Sequence, residues 1–157
     1  MFGRPLKERF PTDAVIDIRS KRGPSDYFTA GSFPVVSSKL KAVLDKFEVR
    51  GEFLPVTLVR RRDGIIQGDW FCFNAMQVAD CFDRENSQFT LEQQFATDIT
   101  RVAIVETACE GAPLTLASNT IPTLLVVRND LAEAIASSEC KDVLHGQRAF
   151  MGHFSKI

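Results

Sequence analysis

The eight residues DCFDRENS, 80–87, hold three carboxylates (Asp80, Asp83 and Glu85), the guanidinium of Arg84 and the small polar residues Asn86 and Ser87. Acids at this density can hold Mg²⁺ or share a proton, which is the chemistry of a metal-dependent phosphodiesterase or nuclease. The same residues suit two plainer tasks. Asp80 or Asp83 can accept hydrogen bonds from turn amides while Glu85 pairs with Arg84 or another neighbour. A charged surface turn can also meet a partner. Turn formation ranks first, partner contact second and catalysis third, because the perturbed pKa that marks a catalytic carboxylate is not visible in a sequence.

Other reactive residue types are sparse. His145 and His153, the two histidines, stand near the carboxyl end, and neither is at ligand spacing with a cysteine or an acid. A zinc or nucleophile–base site would need distant parts, so exposed tail histidines are the simpler reading. Cys72, Cys81, Cys109 and Cys140 form no C-x-x-C pair, and no secretory segment precedes them, which suits reduced, mostly buried thiols. No G-x-S-x-G, phosphate-cradling or dinucleotide-binding pattern occurs among the nine singly spread glycines, so no cofactor is expected. The run Arg60, Arg61, Arg62 reads as a solvated hairpin tip before it reads as a phosphate contact. Trp70, the single tryptophan, is a core residue more often than a binding anchor.

The elements that must position the acids begin with residues 70–76. Trp70, Cys72 and Asn74 share one parity and Phe71, Phe73 and Ala75 the other, as in a central strand covered on both faces. Residues 53–59 form a second strand, and the arginine run with Asp63 and Gly64 turns it back so that the two strands are antiparallel neighbours. Ser37 or Ser38 caps a helix over 39–47, with Leu40, Val43, Leu44 and Phe47 at helical spacing. The stretch VVRNDL, 126–131, echoes VVSSKL, 35–40, and places a cap residue, Asn129, two positions after its valine pair. This hints at a repeated unit. Residues 1–34 show one strand-like piece, 14–18, among many Pro and Gly, and are expected to wrap the core rather than form it. Residues 91–95 are ambiguous, 99–106 alternate as a strand, 114–116 suit a short strand, and 145–157 show no period.

A chain of 157 residues with 45% apolar content closes one core. The expected architecture is a single α+β domain over 1–157, mostly antiparallel sheet with two principal helices and a loop-rich amino-terminal third. Nineteen basic against twenty acidic side chains give −1, which argues against a broad positive field for nucleic acid. The longest aliphatic run, near 124–127, falls far short of a membrane span. A cytoplasmic protein is expected.

Four pieces, PVVSSKLK (34–41), EFLPV (52–56), WFCFN (70–74) and DCFDRENS (80–87), resemble in order and spacing the eleventh immunity family of bacterial polymorphic-toxin systems, formerly a domain of unknown function. That family shows a serine-capped helix, a Phe-x-Pro-Val strand, an aromatic strand ending in Asn and a D-x-x-D-x-x-x-S segment. The likeness covers roughly 33–137. It implies a cytoplasmic, non-enzymatic protein that binds a cognate secreted toxin, delivered by type VI or contact-dependent secretion, and blocks its active site or substrate groove. Such toxins are often nucleases with basic grooves, which acids can enter as phosphate mimics. The candidate toxin-binding residues are Asp69, Trp70, Asp80, Asp83, Arg84, Glu85 and Asn86. Two rival readings are the metal-dependent phosphodiesterase or nuclease using Asp80, Asp83 and Glu85, and a sensing domain with a closed apolar pocket.

Overall fold

The computed structural model describes residues 3–19, 23–31, 33–60, 62, 64–120 and 124–143, and the backbone of 154–156. Side-chain alternation decides the central strand. In β6 (Trp70–Ala75), Trp70 and Cys72 enter one apolar cluster while Phe73 and Ala75 enter another, so both faces are covered as the parity of the sequence predicts. β6 lies antiparallel between β4 (Gly51–Arg60) and β3 (Phe33–Ser37). β2 (Tyr27–Ala30) flanks β3, β1 (Val15–Asp17) runs parallel to β4, and β5 (Gly64–Ile65) closes the expected hairpin with Val59 opposite Ile65. The order is β1-β4-β6-β3-β2.

A second sheet pairs β10 (Leu114–Ala117) antiparallel with β11 (Leu124–Arg128) and parallel with β7 (Val78–Ala79). β12 (Phe154–Lys156) adds to β11, so part of the aperiodic tail is a strand; the rest, including His145 and His153, lies outside the described residues. β8 (Gln88–Glu92) and β9 (Phe95–Arg101) make a separate hairpin.

Two helices fill the space between the sheets. α1 (Ser38–Lys46) follows β3 directly and α2 (Asn129–Ser137) follows β11 directly, and the two pack against each other. The sequence echo is therefore a structural one, a five-residue strand feeding a nine-residue helix twice. Val36, Leu40 and Leu44 of one unit and Val127, Leu131 and Ile135 of the other share a single cluster with Phe73, while Val35 and Val126 point to opposite outer clusters. Ser37 caps α1, its hydroxyl accepting from the Leu40 amide at 3.2 Å. The expected cap at Asn129 is corrected: Arg128 holds that position without a side-chain capping bond, and its guanidinium pairs with Asp130 at 2.8 Å. The side chain of Asp130 accepts from the Leu131 amide instead.

The amino-terminal third also departs from expectation. Leu6, Phe10 and Ala14 do cover the outer face of the larger sheet, but β2 and β3 are part of that sheet. Pro34 is tolerated in β3 because the ladder to β6 begins only at Val35. Residues 99–106 are not one strand: β9 ends at Arg101, Val102, Ala103 and Ile104 are buried in succession, and a 3-10 turn spans Glu106–Cys109.

Asp26 and Ser37, both buried, tie three remote segments together. The Ser37 hydroxyl donates to one Asp26 carboxylate oxygen, the Lys141 amide donates to the other at 2.6 Å, and the Ser37 amide donates to the Asp26 carbonyl at 3.0 Å. Ser37→Ala removes a cap and leaves a buried carboxylate short of a donor, so it is expected to lower stability by about 2 kcal/mol in urea unfolding. Ser38→Ala, at an exposed position, should change it by less than about 0.5 kcal/mol; equal effects would show that the clasp carries no weight.

Candidate functional site

The acidic segment stands on a buried base. After β7, Cys81 and Phe82 are buried, and residues 81–83 run antiparallel to 103–105 through Val105 N–H to Cys81 carbonyl (2.8 Å) and Asp83 N–H to Ala103 carbonyl (3.0 Å). Phe82 meets Phe89 edge to face at 5.2 Å. The chain then reverses. One oxygen of Asp83 accepts from the amides of Glu85 (3.0 Å) and Asn86 (3.1 Å), and the other accepts from the Asn86 side chain at 2.8 Å. The Ser87 hydroxyl accepts from the Ala103 amide at 2.9 Å and closes the turn. The side-chain amide of Asn86 and then the turn amides hold the Asp83 carboxyl below its ordinary pKa of 3.8.

Of the competing roles, Asp83 performs turn formation. Of the two options for Glu85, Arg84 or another neighbour, Arg84 is not its partner: the Arg84 guanidinium lies 3.5 Å from Asp80, and at that exposed site the pair contributes little stability. Among the described residues no three His, Cys, Asp or Glu side chains are grouped to hold a metal ion, so Asp80, Asp83 and Glu85 are near in sequence without converging. Asp80, Arg84, Glu85 and Asn86 are all exposed.

Asp69 and Trp70 stand elsewhere. They open β6, whose six residues at ~3.3 Å each put roughly 20 Å of strand between them and its far end, from which the chain leads on to the turn. Asp69 is exposed and its carbonyl accepts from the Ser38 amide at 2.9 Å. Trp70 is 9% exposed and meets Phe28 edge to face at 6.0 Å; its indole nitrogen is buried and has no hydrogen-bond partner among the described residues. Both line a cleft of about 300 Å³ with Pro55, Ile65, Ile66 and Gly68. Five candidates thus come together in the turn, while two form a separate locus.

Sequence reasoning missed the β8–β9 hairpin, which leaves the acidic turn directly and exposes Leu91 at 61%. Gln93 and Gln94 make its tip with φ of 55° and 110°, conformations that favour glycine, so the usual turn signal was missing. The aromatic Phe89 and the alternation through Thr97 and Ile99 were the legible clues.

Fold and site together define a small α+β protein that presents an internally braced acidic turn. The chain belongs to the immunity protein family Imm11, whose family model matches residues 4–143. This match extends past 33–137, the stretch that carries the four motifs, and takes in the amino-terminal strands. A search of curated proteins gave no match. Membership makes the chain an immunity protein, whose partner is a cognate toxin. No helix among the described residues is long and apolar enough to cross a membrane.

Asp83 supplies a pH test. Its folded pKa is depressed, so the bracing is present above the ordinary value of 3.8 and is lost as pH falls through the lowered one. Amide chemical shifts of Glu85 and Asn86 should hold from neutral pH down to about that value and titrate only below it. Titration above 3.8 would show that the carboxylate does not brace the turn.

Proposed function

We propose that this immunity protein neutralises a secreted antibacterial nuclease, best matched by a DNase, by seating its acidic turn in the toxin's basic substrate groove. The observation that carries the reading is the set of exposed side chains of Asp80, Arg84, Glu85 and Asn86 on a turn that Asp83 holds in shape. Carboxylates presented this way stand in for nucleic-acid phosphates and speed encounter with a positive groove. Val105, 40% exposed and joined through its amide to the Cys81 carbonyl, gives the same surface an apolar contact. Asp69 is a second contact, with Trp70 supporting it from beneath: an interface of ~800 Å² per partner is wide enough to reach both ends of β6. The action is stoichiometric and non-enzymatic, needs no cofactor, and takes place in the producing cell's cytoplasm against a polymorphic toxin of the kind carried by type VI secretion. The rival metal-dependent phosphodiesterase lacks a convergent acid group among the described residues.

Co-expression with the product of the neighbouring toxin gene should give a complex that co-purifies and a host that survives. Failure of both would end the proposal for that pair. The double variant Asp80→Lys/Glu85→Lys should cut the association rate constant by about tenfold or more at low salt, with the deficit shrinking as salt rises. An unchanged rate with an intact complex would move the contact away from the turn.

A further inference from the structure

We propose that the cleft beside Trp70 receives an amide group of the cognate toxin, whose carbonyl oxygen accepts from the Trp70 indole N–H while its own N–H donates to Asp69. The cleft comes from a mismatch of lengths along β4. The Ile66 amide donates to the Leu58 carbonyl at 2.8 Å, and pairing with β4 resumes where Trp70 stands opposite Val56. Thr57 alone lies between those two positions on β4, whereas Gln67, Gly68 and Asp69 lie between them on the facing chain. The surplus loops away from the sheet, and Gly68, with a φ of 116°, takes the backbone conformation of the detour. A cleft of about 300 Å³ opens there, with Thr57, Ile65, Gly68, Asp69 and Trp70 in its walls.

Two polar groups of this cleft are left over within the chain. The Trp70 indole nitrogen is buried and has no hydrogen-bond partner among the described residues, a costly state for a donor and one that an acceptor from outside relieves. A methyl group placed on Gly68 would lie 3.4 Å from that nitrogen, so the N–H is on the cleft side of the ring. The Asp69 carboxylate is exposed and has neither a hydrogen bond nor an ion pair among the described residues. The route to the nitrogen is the loop itself. Gln67 and Gly68 are exposed and make no backbone hydrogen bond among the described residues, so a small movement of these two residues opens the N–H to an occupant. Proteins offer an indole N–H three kinds of acceptor: carboxylate, hydroxyl and amide oxygens. Asp69 repels the first. An amide carries its acceptor and its donor on different atoms, which suits two separate groups on the wall better than a hydroxyl with both on one oxygen. A cleft at the small end of ligand pockets takes an Asn or Gln side chain or one peptide unit, and Ile65, 63% exposed, gives the adjoining residue an apolar contact. This contact rests on the cognate toxin that the family implies, but not on the toxin being a nuclease or on the acidic turn entering its groove.

The experiment follows the isotopically labelled full-length chain by NMR, free and saturated with the unlabelled product of the neighbouring toxin gene. A single tryptophan gives a single indole N–H resonance. Its proton should move downfield in the complex as it bonds to an amide oxygen. Benzothienylalanine in place of Trp70 puts sulfur where the N–H stood at nearly the same shape. That variant should bind the toxin about tenfold more weakly, chiefly through faster dissociation. The urea midpoint of the free variant should be unchanged or higher, since the group removed has no partner there. An indole resonance unmoved at saturation, or an unaltered dissociation constant, would overturn the amide contact. So would a lower urea midpoint, because the N–H would then have a partner within the chain. An indole shift that appears although Asp80→Lys/Glu85→Lys leaves the association rate untouched would support this site and count against the acidic turn alone. A chain that binds no toxin would remove both.

Discussion

A buried carboxylate has to find donors, and in this fold that demand falls on Asp26. Its oxygens are met by the Ser37 hydroxyl and the Lys141 amide, and its own backbone is bonded to both of those residues. Hydrogen bonds to a charged acceptor contribute about 1.5–3 kcal/mol each, and a lost partner costs more than the bond gives because the charge stays buried. The clasp joins the chain ahead of β2, the junction of β3 with α1, and the segment beyond α2. Since it holds the entry to one helix and the exit of the other, the two strand–helix units must lie side by side over one core. That core is the shared cluster of Leu40, Leu44, Leu131 and Ile135 with Phe73. The outer faces of both sheets then need cover, which the amino-terminal segment supplies on one side and residues 81–104 on the other.

The amino-terminal cover has its own anchor. Glu52 accepts from the amides of Leu6 (2.7 Å) and Lys7 (3.3 Å) and from the Asn74 side chain (2.8 Å), which also donates to the Arg4 carbonyl at 2.9 Å. Burial acts to raise the Glu52 pKa, but these donors outweigh it and hold the carboxyl low. Asn74 was visible in the sequence as the polar end of an aromatic strand. Its partners were not, because they lie 22 and 70 positions away.

What the sequence disclosed was what period and local chemistry encode. Leu40, Val43, Leu44 and Phe47 announce α1, the parity of residues 70–75 announces a strand buried on both sides, and the paired valines announce two equivalent strand-to-helix junctions. Asp83 as a turn former is likewise a local effect, three residues deep. Pairing across the chain was hidden. Pro34 and Gly31 made β2 and β3 look like loop, although Pro34 falls where the ladder to β6 has ended. The alternation of 99–106 suggested a strand that the structure breaks at Arg101, since the following residues bend to cover the second sheet. In the candidate site, turn formation was the first-ranked role of the acids, and Asp83 takes it by accepting from its own turn amides. The partner of Arg84 was not legible: it lies against Asp80 rather than Glu85.

This distribution of tasks decides what the surface can do electrostatically. A chain of net charge −1 has no long-range field, and at physiological salt a charge is screened beyond ~8 Å, so a partner is attracted only by what lies near its point of approach. Arg84 offsets part of Asp80, which leaves Glu85 and the braced Asp83 as the main local source of negative potential. Such a patch raises encounter rate more than it deepens binding. Depth must come from contact area and from a low ordering cost, and the turn is built for the second. Its reversal is already fixed by the carboxylate of Asp83, its closure by Ser87 and its base by two buried residues, so little conformational freedom would remain to be lost in the contact proposed above. A flexible acidic loop of the same composition would offer the same charge and surrender part of the gain to ordering.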